Sequence, residues 1–350
     1  MRTISRVIVS AILVVLTGLL VAAACYLPGF FDVYTPFSRN VLTFLAGITG
    51  PFPFAVWEIL LVLLGLWFVW SFVRSLIKKR KLVYWLAGVL EVACILVFLF
   101  VGLWGLNHWG PDLSQRLGLQ MQPSSVEQLE ATTRYMAEQA SQWAGRVERD
   151  EAGDLAIQWD AMAETAGKSF AAMGETDPFF SGSEARVKYL LVPEAFSYMG
   201  ITGISVPFTG EACVNPNTYA ASIPFTMCHE AAHRMTVSAE NDANFAAFLA
   251  CQASEDPAFQ YSGWYSAFVY CYNSLYKADK ETARAIRAAL PDAVRQDLNR
   301  AYEHYAQYDG EVKKVTEKVN DAYLKTFNEE SGVQSYGEVT DLLIAWYLQQ

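Results

Sequence analysis

The sequence predicts an α+β protein, with an N-terminal anchor of three transmembrane helices followed by a mainly helical domain that carries one small β-sheet. Three observations predict this class. Long apolar stretches fill the first 106 residues. The composition turns polar abruptly across Trp104–Gly110, with Pro111 at the junction. Strand-like patterning is confined to residues 187–215, with helical patterning on either side. The chain therefore divides into a membrane region, residues 1–106, and a domain, residues 107–350.

Val7–Cys25 is apolar and uncharged, long enough to cross a hydrocarbon core of about 30 Å. Ala55–Val73 and Leu82–Leu106 are alike, apart from Glu58 near the start of one and Glu91 inside the other. The first stretch follows Arg2 and Arg6 as a secretory signal would. No small-residue cleavage site stands out before Pro28, however, and two further spans follow, so it reads as a retained helix. Arg74, Lys78, Lys79, Arg80 and Lys81 crowd the link between the second and third spans, which places that link in the cytoplasm. Three crossings then leave residues 107–350 outside the cytoplasmic membrane, in a multi-pass protein embedded in the lipid bilayer. Pro28–Phe54 is read as an outer loop whose run Val41–Ile48 lies in the interface or packs on the bundle. Glu91 is expected as a neutral carboxyl hydrogen-bonded inside the bundle, because an unpaired charge at that depth is costly.

Residues 1–106 hold 8 Lys+Arg and 3 Asp+Glu, whereas residues 107–350 hold 18 and 33. So acidic a domain has few cations to offer phosphates, which argues against nucleic acid as a partner; the surplus serves solubility. Cys213, Cys228, Cys251 and Cys271 lack CxxC spacing and are read either as buried thiols or as bridges.

Within the domain, Ser124–Arg149 and Asp154–Met173 show the apolar spacing of amphipathic helices. Val187–Val192, Gly200–Phe208 and Glu211–Asn215 read as short strands. Helical patterning resumes at Phe225–Met235 and Ala239–Ala253, and continues from Phe259 to Leu348.

The chemistry concentrates in His229-Glu230-Ala231-Ala232-His233, an HExxH sequence that uses two of the four histidines in the chain. Residues four apart share a helix face, so both imidazoles can reach one metal ion, expected as Zn2+. Glu230 is offset by about 100°, which suits a general base acting on water rather than a ligand. Catalytic zinc takes three protein ligands. The position six residues after His233, where some zinc peptidases carry a third histidine, is Ala239. A tight turn at Arg234–Ser238, with Ser238 as N-cap, would bring a second helix back with Glu240 facing the histidines. Asp242 is the rival ligand, and both acids also suit a first helical turn through the helix dipole alone. Asn244, one turn on, is placed to accept a histidine N–H.

The run Ile201–Cys251 resembles the bacterial membrane family known as domain of unknown function 3810. The matching pieces are Gly203-Ile204-Ser205-Val206-Pro207-Phe208-Thr209-Gly210-Glu211, Asn215, the HExxH, and Glu240-x-x-Ala243-Asn244-Phe245. Gly50-Pro51-Phe52 through Glu58, and Tyr336-Gly337, fit as well, so the resemblance covers essentially the whole chain. Two positions depart from the family pattern: Thr236 stands where a glycine is usual, and Asp242 where a glutamate is usual. The second departure favours Glu240 as ligand.

Members of this family resemble gluzincin-type metallopeptidases, which implies a zincin-like domain, a peptide or protein substrate and peptidase activity. In zincins a strand upstream of the HExxH helix pairs with an extended substrate, and Gly203, Val206, Glu211 and Asn215 mark that edge here. Tyr261 and Tyr336 are the hydroxyls considered for a developing oxyanion. A non-catalytic receptor or scaffold is the main alternative function. A site within the bilayer is excluded by Arg234, Glu240, Asn241, Asp242 and Asn244 around the motif.

Overall fold

A computed structural model describes residues 2–79, 81–181, 184–329 and 338–350. It opens with four helices, α1 (Arg2–Tyr26), α2 (Phe30–Thr49), α3 (Val56–Ile77) and α4 (Leu82–Leu103). Three of them, α1, α3 and α4, are long and apolar enough to cross a membrane. Most of their apolar side chains face outward, as the lipid interior permits. The third span stops at Leu103 rather than Leu106.

The outer loop expected over Pro28–Phe54 is instead mostly α2. Its buried residues Tyr34, Ser38, Leu42, Ala46 and Thr49 recur at helical spacing on one face. Asp32, Arg39 and Asn40 on other faces, and Pro36 within the helix, interrupt the linear sequence so that it shows no continuous apolar run. Glu91 also differs from expectation: its carboxylate pairs with Arg6 at 3.3 Å, from α4 to α1. Gly88 leaves the path for that guanidinium, since a Cβ there would lie 2.6 Å from Arg6 Nη1.

The sheet has three strands, β1 (Lys188–Tyr189), β2 (Gly203–Val206) and β3 (Glu211–Val214), in the order β1-β3-β2. β3 is central, parallel to β1 and antiparallel to β2. The strands are shorter than their sequence patterns suggested, because the flanking residues turn into helix or loop. The segment between α2 and α3 joins the sheet: Phe54 bridges to Tyr189, and the Ala55 N–H donates to the Tyr189 carbonyl at 3.0 Å. α2 meets the β2–β3 turn at Gly210, which has φ +65° and where a Cβ would lie 2.3 Å from the Leu42 carbonyl oxygen. Residues 30–55 thus pack into the same body as the domain.

The domain is otherwise helical, with α5 (Leu113–Arg116), α6 (Val126–Ala144), α7 (Trp159–Thr176), α8 (Pro193–Tyr198), α9 (Ile223–Arg234), α10 (Glu240–Ala253), α11 (Pro257–Ala278), α12 (Lys280–Ala289), α13 (Asp292–Ala306), α14 (Glu311–Thr326) and α15 (Val339–Tyr347). The core centres on α9 and α10, packed against each other and enclosed by α7, α11 and β3. Small residues make that approach close: Ala231 and Ala232 on α9, and Ala243, Ala246, Ala247 and Ala250 on α10, are fully buried. The four cysteines of the domain are free and buried, so they act as small apolar residues.

Candidate metal centre

Local sequence explains how α9 and α10 are set. α9 starts with Pro224 in its first turn, and the Phe225 N–H is satisfied by Ser262 Oγ of α11 at 3.0 Å. Its other end closes by two reversed hydrogen bonds, Thr236 N–H to the His233 carbonyl at 3.0 Å and Val237 N–H to the Ala232 carbonyl at 3.1 Å. That closure needs a left-handed residue, and Thr236 takes it at φ 73°. A β-branched side chain there costs about 1–2 kcal/mol. Thr236→Gly is therefore expected to stabilise the protein by about 0.5–1 kcal/mol net of the chain entropy glycine adds, read as a raised unfolding midpoint of the full chain in detergent. α10 follows at once, but its N-cap is Ala239 and makes no side-chain bond, so Ser238 does not cap it. Glu240 and Asp242 in the first turn complement the dipole instead.

This turn brings three donors together. His229, His233 and Glu240 each offer a ligand atom, all within 4.8 Å of one another. His229 Nε2 lies 3.1 Å from His233 Nε2 and 3.3 Å from Glu240 Oε2, and His233 Nε2 lies 3.8 Å from Glu240 Oε1. Zinc bonds of about 2.0–2.1 Å in a tetrahedron imply donor separations near ~3.3 Å. The residues therefore fit one ion. His233 donates Nδ1–H to the Val237 carbonyl at 2.8 Å, which fixes its tautomer and leaves the Nε2 lone pair free.

The electrostatics agree with the geometry. Burial acts to raise Glu240, but the hydrogen bond from His229 and the charges of both histidines outweigh it and hold the carboxyl at about 2. Burial, helped by the charge of His229, pushes His233 down to about 4. His229 is raised, because the bond and charge of Glu240 together outweigh desolvation. Glu230 is pushed up to about 8, chiefly by burial, against the opposing charge of His229.

The other expected residues divide. Glu230 is buried beside the cluster with Oε2 unpartnered. A Cβ at position 203 would lie 2.4 Å from Glu230 Oε1, so Gly203 leaves room for that carboxylate. Gly203 and Val206 lie on β2, which ends the three-stranded sheet. Asn244 neighbours His229 and accepts from the Tyr270 hydroxyl at 3.0 Å. Asp242 points elsewhere, its Oδ2 accepting the Leu113 N–H at 2.7 Å.

Three expectations are corrected. Glu211 is not an edge residue: it is buried on the central strand, paired with Lys188 at 2.6 Å, and accepts the first N–H groups of α3 from Val56 and Trp57 at 2.8 and 2.9 Å. Asn215 is buried, and its amide ties together the carbonyls of Pro193 and Ile201 and the Ser197 hydroxyl. Tyr261 gives its hydroxyl to the buried Asp297, which also binds Arg149 and Tyr219, so it belongs to the core. Tyr336 lies outside the described residues.

Sequence reasoning missed the membrane-side wall. Trp104, just past the end of α4, donates Nε1–H to the His233 carbonyl at 3.0 Å and stands edge-on to the His233 ring. His108 is buried next to Trp104, faces Glu329 at 3.2 Å and meets the Tyr323 hydroxyl at 3.3 Å. A third histidine directly after a predicted span was the available signal.

A family model described as "Protein of unknown function (DUF3810)" matches residues 34–344. No curated protein and no solved structure matches the chain.

Proposed function

The chain belongs to this family of unknown function, DUF3810, and from that premise we propose that it is a membrane-anchored, zinc-dependent peptidase of gluzincin type. Its domain would act outside the cytoplasmic membrane. The observation that carries the reading is the convergence of His229, His233 and Glu240 at tetrahedral spacing, with the buried, unpartnered Oε2 of Glu230 beside them. His229, His233 and Glu240 would hold zinc, which when bound would supply Lewis acidity toward a carbonyl. Glu230 takes the proton of the attacking water and delivers it to the leaving amine. The edge of β2 at Gly203 and Val206 offers main-chain groups to an extended peptide. With Tyr261 engaged by Asp297, Tyr270 and Tyr323, both influenced by the charge of Glu240, are the candidate hydroxyls for a developing oxyanion.

Metal analysis of the full chain in detergent, after zinc loading and desalting, tests the ligand set. One zinc per chain is expected in the wild type and in Asp242→Asn, with at least a ~10-fold loss of affinity in His233→Ala and Glu240→Ala. A wild-type chain that retains no zinc would sink the proposal.

A further inference from the structure

We propose that α14 is an interfacial helix that lies flat on the bilayer, on the side that carries residues 104–350, with Val312, Val315 and Val319 seated among the lipids. α14 turns an apolar stripe outward over most of its length. Its three valines share one face at helical spacing and are 55%, 59% and 64% exposed. Its inward face carries the half-buried Lys313, Thr316 and Asn320 along most of its length, and becomes apolar only at its last turn and just beyond, where Tyr323, Leu324 and Phe327 pack inward. Water is a poor partner for such an outward face, and lipid a good one.

The position of the helix identifies lipid as the occupant. One end meets the domain-side end of α4, where Phe100 packs on Tyr323 and Phe327 with centroids 6.2 and 5.5 Å apart. Towards the other end, Lys313 covers Gly200, its Cγ 3.2 Å from where a Cβ would be. Gly200 follows α8, whose Phe196 packs on Trp57, the second residue of α3, at 5.9 Å. The Leu191 N–H just before α8 donates to Glu58 of α3 at 2.9 Å. α14 is therefore tethered beside the domain-side ends of two spanning helices, and its axis, about 24 Å long, runs between them along the membrane plane. Val192, Tyr198 and Phe208 are exposed in the same zone, and Phe208 touches Phe100. These side chains continue the apolar surface of α3 and α4 onto the underside of the domain. Lys314, Lys318 and Lys325 are exposed and flank the valines, where their stems can lie on lipid while the ammonium groups reach the headgroups.

The test uses the full chain in phosphatidylcholine–phosphatidylglycerol nanodiscs. Cys25→Ser and Cys94→Ala remove the span thiols; the four remaining cysteines are buried and slow to label. One of Val315→Cys, Val319→Cys or Glu317→Cys then carries an environment-sensitive fluorophore. Labels at Val315 and Val319 are expected to shift to the blue, and to be quenched at least ~3-fold more than the label at Glu317 by lipids spin-labelled near the headgroup. Equal quenching at all three positions would overturn the proposal. So would a blue shift at Val315 that ignores the spin label and grows with the number of chains per disc, since that outcome identifies a second copy as the occupant.

Discussion

A Glu230→Gln chain is expected to bind zinc as the parent does and to hydrolyse a quenched fluorescent peptide mixture about 10²- to 10⁴-fold more slowly. The substitution keeps the volume that Gly203 accommodates and leaves His229, His233 and Glu240 in place, so folding and metal content should not move. What disappears is the proton acceptor: an amide cannot take a proton from water or return it to an amine. The comparison also separates the peptidase from a scaffold that uses the same cluster only to hold itself together. In that case parent and variant bind zinc equally and neither cleaves the mixture.

Glu211→Ala is expected to destabilise the full chain by about 3–5 kcal/mol, measured by denaturant unfolding in detergent. Glu211 answers Lys188 with one oxygen and the open N-terminus of α3 with both, and Lys188 also donates to the Thr49 carbonyl at the end of α2. Removing the carboxylate strands a buried ammonium and two N–H groups among β1, α2 and α3. A Lys188→Met, Glu211→Leu pair should be far less damaging than Glu211→Ala alone, because it removes both charges together. If Glu211→Ala instead weakened peptide binding without lowering stability, the residue would belong to the substrate edge after all.

The parts of this molecule legible in the sequence are those fixed by local rules. HExxH spacing places both imidazoles on one face whatever surrounds them, and the first-turn acid two residues beyond Ser238 comes round to meet them. The apolar spans are visible because lipid demands uniform hydrophobicity over about 20 residues. Side chains whose partners are remote in sequence were not legible. Nothing near Glu211 announces that its partners are Lys188 and the backbone at Val56, 155 residues away. Nothing near Tyr261 announces Asp297, 36 residues on. α2 was obscured for a related reason: it buries only one stripe against β3 and α4, so its run of residues has neither the uniformity of a span nor an obvious cap, its N-cap being Gly29.

Trp104 has a consequence that reaches beyond the wall it forms. It is the C-cap of α4, and its indole holds the carbonyl of His233, whose ring offers one of the three donors. The tilt of a membrane-crossing helix responds to the thickness of the bilayer around it. On the proposed zinc reading, tilt of α4 and affinity at the cluster would be two coordinates of one thermodynamic cycle: a bilayer that favours the angle at which Trp104 meets His233 would tighten the hold on an ion, and a bound ion would stiffen that angle by an equal free energy.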